Sequence, residues 1–131
     1  ELLEVLTLAR DVSAASGGAF DVTVQPLWLC WDRACKQGRL PSAAEIAQAR
    51  TRVDWRALRV EPRAVVLERP GMGVTLNGIA QGYAADRVRA VLAAHGITDA
   101  LRDAGEYAPL GRNPQRREWT LGVADPTRYR R

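Results

Sequence analysis

Two short polar segments rich in glycine carry the residues of this 131-residue chain that are best suited to hold a ligand. They are residues 16–21, with the sequence SGGAFD, and residues 75–83, with the sequence TLNGIAQGY. Glycine lets a backbone approach a ligand closely, and the start of a helix offers free N–H groups and a positive dipole end to an anion. Both segments therefore fit a phosphorylated small molecule, and close packing of a helix on a sheet is the alternative that such glycines allow.

The second segment leads into a helix that its apolar spacing predicts over residues 78–95. Asn77 is a suitable N-cap, so the amides of residues 78–80 are expected to point out of the helix toward an anion. Gly82 inside the helix costs about 1 kcal/mol relative to Ala, so we expect another group to pack closely against that turn.

The ionisable residues limit the chemistry. His95 is the only histidine, so the chain cannot assemble a Ser-His-Asp triad, a Cys-His pair or a two-histidine metal site. Asp21 follows Phe20, so an aromatic face and a carboxylate leave one glycine loop together, which suits a ring system bearing a ribose or amino group. Asp103 and Glu106 flank a strand break that either lines a cleft or makes a turn.

The composition, with 47% hydrophobic and 26% charged residues, is that of one soluble domain. The net charge of +4 comes from dispersed arginines, since Lys36 is the only lysine. No basic helix face with interleaved aromatics accompanies them, so nucleic-acid binding is not expected. No apolar run is long enough to be a transmembrane segment. Cys30 and Cys35 fall on different faces of one helix, which predicts free thiols.

The pattern of apolar residues predicts an α+β fold with helices packed on a mainly antiparallel sheet. Four helices are predicted, at residues 1–15, about 26–37, 42–52 and 78–95. Strands are predicted as a hairpin at residues 57–60 and 64–68, and as a small sheet at residues 100–101, 107–110 and 119–123. Ser42 and Glu45 form a capping box at the start of the third helix. The uncapped start and abrupt end lead us to expect that residues 1–131 are a single partial domain, truncated at both ends.

In their order and spacing, these segments resemble the ApbE family of flavin transferases, the FAD:protein FMN transferases. Residues 16–27 resemble that family's SGGAFDVTVGPL segment, with Gln25 in place of a glycine, and residues 75–83 resemble its DLGGIAKGYAVD segment. Residues 103–106 and 119–126 resemble the NAGGD and W-x-V-G-I-x-D-P stretches. The TLNGIAQGY and GE variants are most similar to the branch associated with nitrous oxide reductase maturation. The resemblance implies that the chain is the central part of an ApbE-like fold.

The resemblance also implies which residues contact the cofactors. Thr75 stands where the family commonly has a flavin-contacting aspartate; the change removes a charge and leaves a hydroxyl that can hydrogen bond. Gly78 matches a position whose backbone carbonyl helps to hold Mg²⁺. The positions that match flavin contacts are Ala19, Phe20, Asp21, Thr75 and Gln81.

The implied reaction is the Mg²⁺-dependent transfer of FMN from FAD to a Thr or Ser hydroxyl of an acceptor redox protein, with release of AMP. The partners implied are FAD and that acceptor flavoprotein, and the implied location is periplasmic or otherwise exported. The family's remaining metal ligands and its histidine lie outside the stretch that this chain matches, so the fragment alone is expected to be incomplete for catalysis, and no catalytic residue is assigned. The alternative is a non-catalytic FAD-binding accessory module in the maturation of a redox protein.

Overall fold

The computed structural model describes residues 1–103 and 105–123 and contains two compact units, with a boundary between Ala80 and Gln81. Both units combine helices with short antiparallel strands, which confirms the α+β prediction. The first unit contains α1 (Leu2–Ala15), α2 (Gln25–Lys36), α3 (Ala43–Arg50), a 3₁₀ turn (Trp55–Ala57), β1 (Leu58–Val60) and β2 (Val65–Leu67). The remaining elements are α4 (Ala80–Ala94), β3 (Ala100–Asp103) and β4 (Tyr107–Leu110).

The core of the first unit lies between α1 and the β1–β2 hairpin. Leu6 and Ala9 on α1 are buried against Leu58 on β1, and Val22 completes this fully buried cluster. Burying such side chains contributes roughly 1.5–3 kcal/mol for each large one. Partly buried hydrophobic residues surround the cluster: Phe20, Val60, Val65, Leu67, Val74, Leu76 and Ile79. Both glycine-rich segments therefore supply side chains to the core as well as candidate ligand contacts.

The first glycine-rich segment ends α1 in a Schellman motif. The N–H of Gly17 donates to the carbonyl of Ala14 at 3.1 Å, and the N–H of Gly18 donates to that of Ser13 at 2.8 Å. Gly17 and Gly18 have φ angles of 61° and 89°, in the left-handed region that favours glycine. These glycines end the helix and return the chain toward the core. They therefore have a structural role that does not depend on a ligand.

Helices α2 and α3 pack against each other, and each buries one alanine, Ala34 and Ala49. The predicted capping box of α3 is confirmed: the Glu45 N–H donates to Ser42 Oγ at 3.3 Å, and the Ser42 N–H donates to Glu45 Oε2 at 2.8 Å. Both cysteines are free, as predicted.

The start of α4 differs from its prediction. The helix begins at Ala80, two residues late, and Asn77 does not cap it. The N–H groups of Ile79 and Ala80 donate to the carbonyl of Leu76 at 3.0 and 2.8 Å. A tight turn has therefore taken up two of the three amides that we expected to be free for an anion, so that expectation is wrong for Ile79 and Ala80.

The second unit is a hairpin of β3 and β4 with the body of α4. Its turn contains Gly105, with φ of 87°, whose N–H donates to Asp103 Oδ1 at 3.3 Å. Of the two roles left open for Asp103, the structure shows the turn. The expectation of close packing at Gly82 is wrong within the described residues, because a Cβ built there would meet no described atom beyond its chain neighbours and the nearby backbone of its own helix within 4 Å.

The predicted strand at residues 119–123 is absent. The indole Nε1 of Trp119 donates to the carbonyl of Leu110 at 3.1 Å. This segment therefore contacts the end of β4 through a side-chain hydrogen bond and does not pair with it as a strand. Val123 is 97% exposed. Alternating apolar residues predict a strand, but the strand forms only where another strand is available to pair with it.

Among the helices that the structure describes, none combines the length and the hydropathy that a membrane span requires.

Candidate functional site

The structure brings the two glycine-rich segments of the first unit into direct contact. The N–H of Thr75 donates to the carbonyl of Val22 at 2.9 Å. The ring of Phe20 lies so close to Gly78 that a Cβ built there would be 3.1 Å from Phe20 Cε2. The backbone bond and the ring contact bring the segment that carries three predicted site residues next to the segment that carries two more. The five residues are Ala19, Phe20, Asp21, Thr75 and Gly78.

The aromatic residue of the first segment is held at both its backbone and its ring. The N–H of Phe20 donates to Ser16 Oγ at 3.1 Å, and the half-buried ring packs against the core cluster. The preceding Ala19 is exposed. The segment thus presents part of an aromatic side chain at the surface, on a fixed backbone, next to a small side chain that leaves room for a ligand.

The carboxylate of Asp21 accepts three hydrogen bonds from the chain itself. Its Oδ1 accepts from the N–H of Thr23 at 2.8 Å and from Thr23 Oγ1 at 2.7 Å. Its Oδ2 accepts from the N–H of Trp55 at 3.1 Å, across 34 positions of sequence. Hydrogen bonds to a charged acceptor are short and strong, so the direction of this carboxylate is fixed by the fold before any ligand arrives.

The hydroxyl of Thr75 makes a local turn. Its Oγ1 accepts from the N–H of Asn77 at 3.3 Å. A hydroxyl has one donor hydrogen, and no acceptor for it is present among the residues that the structure describes. Thr75 is only half-buried, so this hydroxyl can donate to a ligand, which is the contact we predicted in place of the family's carboxylate.

The remaining predicted flavin contact, Gln81, belongs to the second unit. Its Nε2 lies 3.3 Å from the position of a Cβ on Gly105. The side chain is exposed and lies against the β3–β4 turn. Within the second unit, the structure therefore brings Gln81 together with the segment at residues 103–106, which also carries a family-like motif.

A complete metal site is not present in the described part of the chain. Among residues 1–103 and 105–123, no group of three or more His, Cys, Asp or Glu side chains could hold an ion. Gly78 is exposed, and a carbonyl oxygen is a ligand type that Mg²⁺ accepts. The described residues thus fit the single backbone contact that we predicted for Mg²⁺, without a carboxylate cluster around it.

A separate cleft of about 180 Å³ lies between α2, α3 and the turn at residues 71–73. None of the predicted flavin or metal contacts lines it. We therefore place the candidate site at the joined glycine-rich segments and not at this cleft.

Sequence reasoning missed the two residues that hold Asp21, which are Thr23 and Trp55. The spacing of Asp21 and Thr23 is typical of an Asx turn, in which a side-chain oxygen accepts a hydrogen bond from the backbone N–H two residues later. The contact between Asp21 and Thr23 could therefore have been predicted from the local sequence. The contact between Asp21 and Trp55 could not, because it depends on the tertiary fold.

Comparison with known proteins identifies the family. The sequence profile of the ApbE family matches residues 1–131. The chain belongs to the ApbE family. A FAD:protein FMN transferase of Treponema pallidum is 30% identical to this ApbE chain over 141 residues, covering 95% of the chain and 39% of the relative. One of Klebsiella pneumoniae is 32% identical over 128 residues, with the same coverage.

Solved structures show the same architecture. The apo form of flavinyl transferase ApbE from Pseudomonas stutzeri aligns with a TM-score of 0.79 and 30% identity, over 93% of the ApbE chain and 40% of that protein. The ApbE protein of Thermotoga maritima aligns with a TM-score of 0.83 and 26% identity, over 95% and 42%. The chain therefore spans about 40% of the length of the relatives that it matches.

Proposed function

We propose that this ApbE-family chain carries part of the FAD site of an enzyme that transfers FMN from FAD to a Thr or Ser hydroxyl of an acceptor protein and releases AMP. The observation that supports this most is the contact between the two glycine-rich segments, through the Thr75–Val22 hydrogen bond and the Phe20–Gly78 contact. The names of the relatives agree with it, since they are FAD:protein FMN transferases.

Each residue of the site has a proposed task. Phe20 supplies an aromatic surface for the flavin ring, and the adjacent Ala19 leaves the ring room to approach. Asp21 accepts a hydrogen bond from a polar edge of the flavin, and Thr75 donates one. The family resemblance also favours Gln81 as an amide contact to FAD. The net charge of +4 favours association with an anionic dinucleotide.

The reaction cleaves a pyrophosphate. The hydroxyl oxygen of the acceptor attacks the phosphorus of the FMN half and the bond from that phosphorus to the bridging oxygen breaks. The hydroxyl proton is released, and AMP leaves with the bridging oxygen. Mg²⁺, when bound, neutralises charge on the pyrophosphate, and we propose the carbonyl of Gly78 as one of its ligands. We also propose that the protein works in the periplasm or in another exported location, on the strength of the family resemblance.

A second function, that of a non-catalytic FAD-binding accessory module, has specific support. Thr75 replaces a carboxylate that the family commonly has, which removes a negative charge from the proposed FAD site. Such a module would bind FAD in the same place and transfer nothing.

Covalent labelling separates the two functions. Because residues 1–131 alone are expected to be incomplete for catalysis, the full-length protein that contains them is incubated with FAD, Mg²⁺ and a redox protein that has a Thr or Ser available. Flavin fluorescence is then read in a denaturing gel. For the transferase we expect a fluorescent acceptor band with FAD, and none with FMN, because FMN lacks the pyrophosphate. Reversible FAD binding without any labelled acceptor would favour the accessory module.

A further inference from the structure

Two polar side chains in the described residues are completely buried, Thr23 and Ser13, each with 0% exposure. The hydroxyl of Ser13 donates to the carbonyl of Ala9 within its own helix, at 2.9 Å, and so serves α1 alone. Buried hydroxyls are kept where they have hydrogen-bond partners. The partners of Thr23 lie outside any regular element and beside the candidate flavin site.

The hydroxyl of Thr23 joins Asp21 to a distant part of the chain. Thr23 Oγ1 accepts from the N–H of Asp54 at 2.8 Å and lies 2.7 Å from Asp21 Oδ1. A backbone amide can only donate, and a hydroxyl has a single hydrogen. The hydroxyl hydrogen must therefore point at Asp21, which makes this a directed, charge-assisted bond between a buried donor and the carboxylate.

The 3₁₀ turn holds the same loop at two further points. The N–H of Trp55 donates to the other oxygen of Asp21 at 3.1 Å. The indole of Trp55 lies beneath Gly18, where a Cβ would be 3.3 Å from Nε1. The loop that carries Ala19 and Phe20 is thus attached to the Trp55 turn on both sides of the aromatic residue.

We propose that Thr23 is a positioning residue of the flavin site, whose hydroxyl fixes the direction of the Asp21 carboxylate. The proposal rests on the proposed function, because Asp21 is the ligand contact that Thr23 positions. Thr23 is buried and touches no ligand itself. Without this hydroxyl, Asp21 keeps the bonds from the N–H groups of Thr23 and Trp55 but loses its shortest hydrogen bond. Its carboxylate is then held less firmly in the direction of the flavin.

The test compares Thr23→Val, which keeps the volume, with Thr23→Ser, which keeps the hydroxyl. FAD affinity is measured by fluorescence titration of the chain with Mg²⁺ present. We expect Thr23→Val to weaken FAD binding about tenfold, as the loss of a hydrogen bond to a charged group does, and Thr23→Ser to stay within about threefold of the original chain. A Thr23→Val variant that binds FAD normally, or a Thr23→Ser variant that is as weak as Thr23→Val, would overturn the proposal.

Ser13→Ala is the matched control. It removes the other fully buried hydroxyl of the same unit, which does not touch Asp21. Both Ser13→Ala and Thr23→Val should lower the unfolding temperature, whereas only Thr23→Val should lower FAD affinity. An equal loss of affinity in Ser13→Ala would mean general loosening and would refute a specific role for Thr23.

A readout that needs no flavin distinguishes failure of this proposal from failure of the proposed function. The amide of Trp55 bonds Asp21 and not Thr23, so its hydrogen-exchange rate reports whether the bond between Asp21 and Trp55 is kept. We expect faster exchange of this amide in Thr23→Val, and normal exchange in Thr23→Ser and Ser13→Ala. Unchanged exchange in Thr23→Val refutes the positioning role, whereas a chain that exchanges as expected but binds no FAD refutes the proposed function. If Thr23→Val does not fold, Thr23→Cys, which substitutes a weaker donor, takes its place with the same expectations.

Discussion

Single residues of the joined segments serve the fold and the site together. Asp21 is a proposed flavin contact, and its two oxygens also attach the loop to Thr23 and Trp55. Phe20 packs against the core and is also a proposed flavin contact. A functional carboxylate whose hydrogen bonds are already made has little rotational freedom to lose when a ligand binds, and such preorganisation favours affinity.

Gly78 gives the sharpest prediction at the residue scale. In Gly78→Ala, the new Cβ would be 3.1 Å from Phe20 Cε2, so the ring must shift by a few tenths of an ångström. We expect FAD affinity to fall about tenfold with a small change in stability, measured by flavin titration and thermal unfolding.

Gly82→Ala is the control for that substitution. It adds the same methyl group on the next turn, where no described atom beyond the chain neighbours and the nearby backbone of the same helix lies within 4 Å. Within a helix the change should stabilise by up to about 1 kcal/mol and leave FAD affinity unaltered. Equal affinities in both alanine variants would show that the Phe20–Gly78 contact does not shape the flavin site.

At the scale of elements, α3 contains a carboxylate, that of Glu45, whose pKa is lowered by the fold. The guanidinium of Arg39 bonds both oxygens of Glu45, at 2.9 and 2.7 Å. That hydrogen bonding, with further bonds from the backbone and side chain of Ser42, lowers the pKa of Glu45 from 4.5 to about 2. The folded state thus favours the ionised carboxylate more strongly than the unfolded state does.

The sign of the resulting pH dependence follows from that shift. Because the pKa of Glu45 is lowered by folding, its contribution to stability is present above pH 4.5 and is lost as pH falls toward about 2. Between pH 4.5 and about 2, we expect the unfolding temperature of Glu45→Gln to fall less steeply than that of the original protein, because the amide of glutamine does not titrate. Curves for the two proteins that run parallel from pH 5 to pH 2 would contradict the role assigned to this carboxylate.

The elements also show what the sequence can predict. All four helices were found, because apolar spacing, glycine stops and the Ser42–Glu45 box are local signals. The exact start of α4 was missed, because the carbonyl of Leu76 captures amides that a simple N-cap would leave free. The strand at residues 119–123 was missed because pairing depends on a partner strand, which local alternation does not reveal.

At the scale of the whole molecule, each of the two units contains a segment that resembles an ApbE motif. The first unit holds the joined segments, and the second holds Gln81 beside the β3–β4 turn. The family was predicted from the resemblance of three motifs in order, which is more specific than the resemblance of any one of them. The support beneath Asp21 was not predictable, because Thr23, Asp54 and Trp55 meet only through the tertiary fold.

The most direct measurement is a fluorescence titration of FAD into the chain, with and without Mg²⁺ and with AMP as competitor. The joined segments predict saturable binding that Mg²⁺ strengthens and AMP weakens. Asp21→Ala should lower the affinity. Asp11→Ala should not, because it removes an exposed carboxylate whose only partner among the described residues is Arg10. Failure to saturate, or equal affinities in the two variants, would contradict the central claim that these segments form a flavin site.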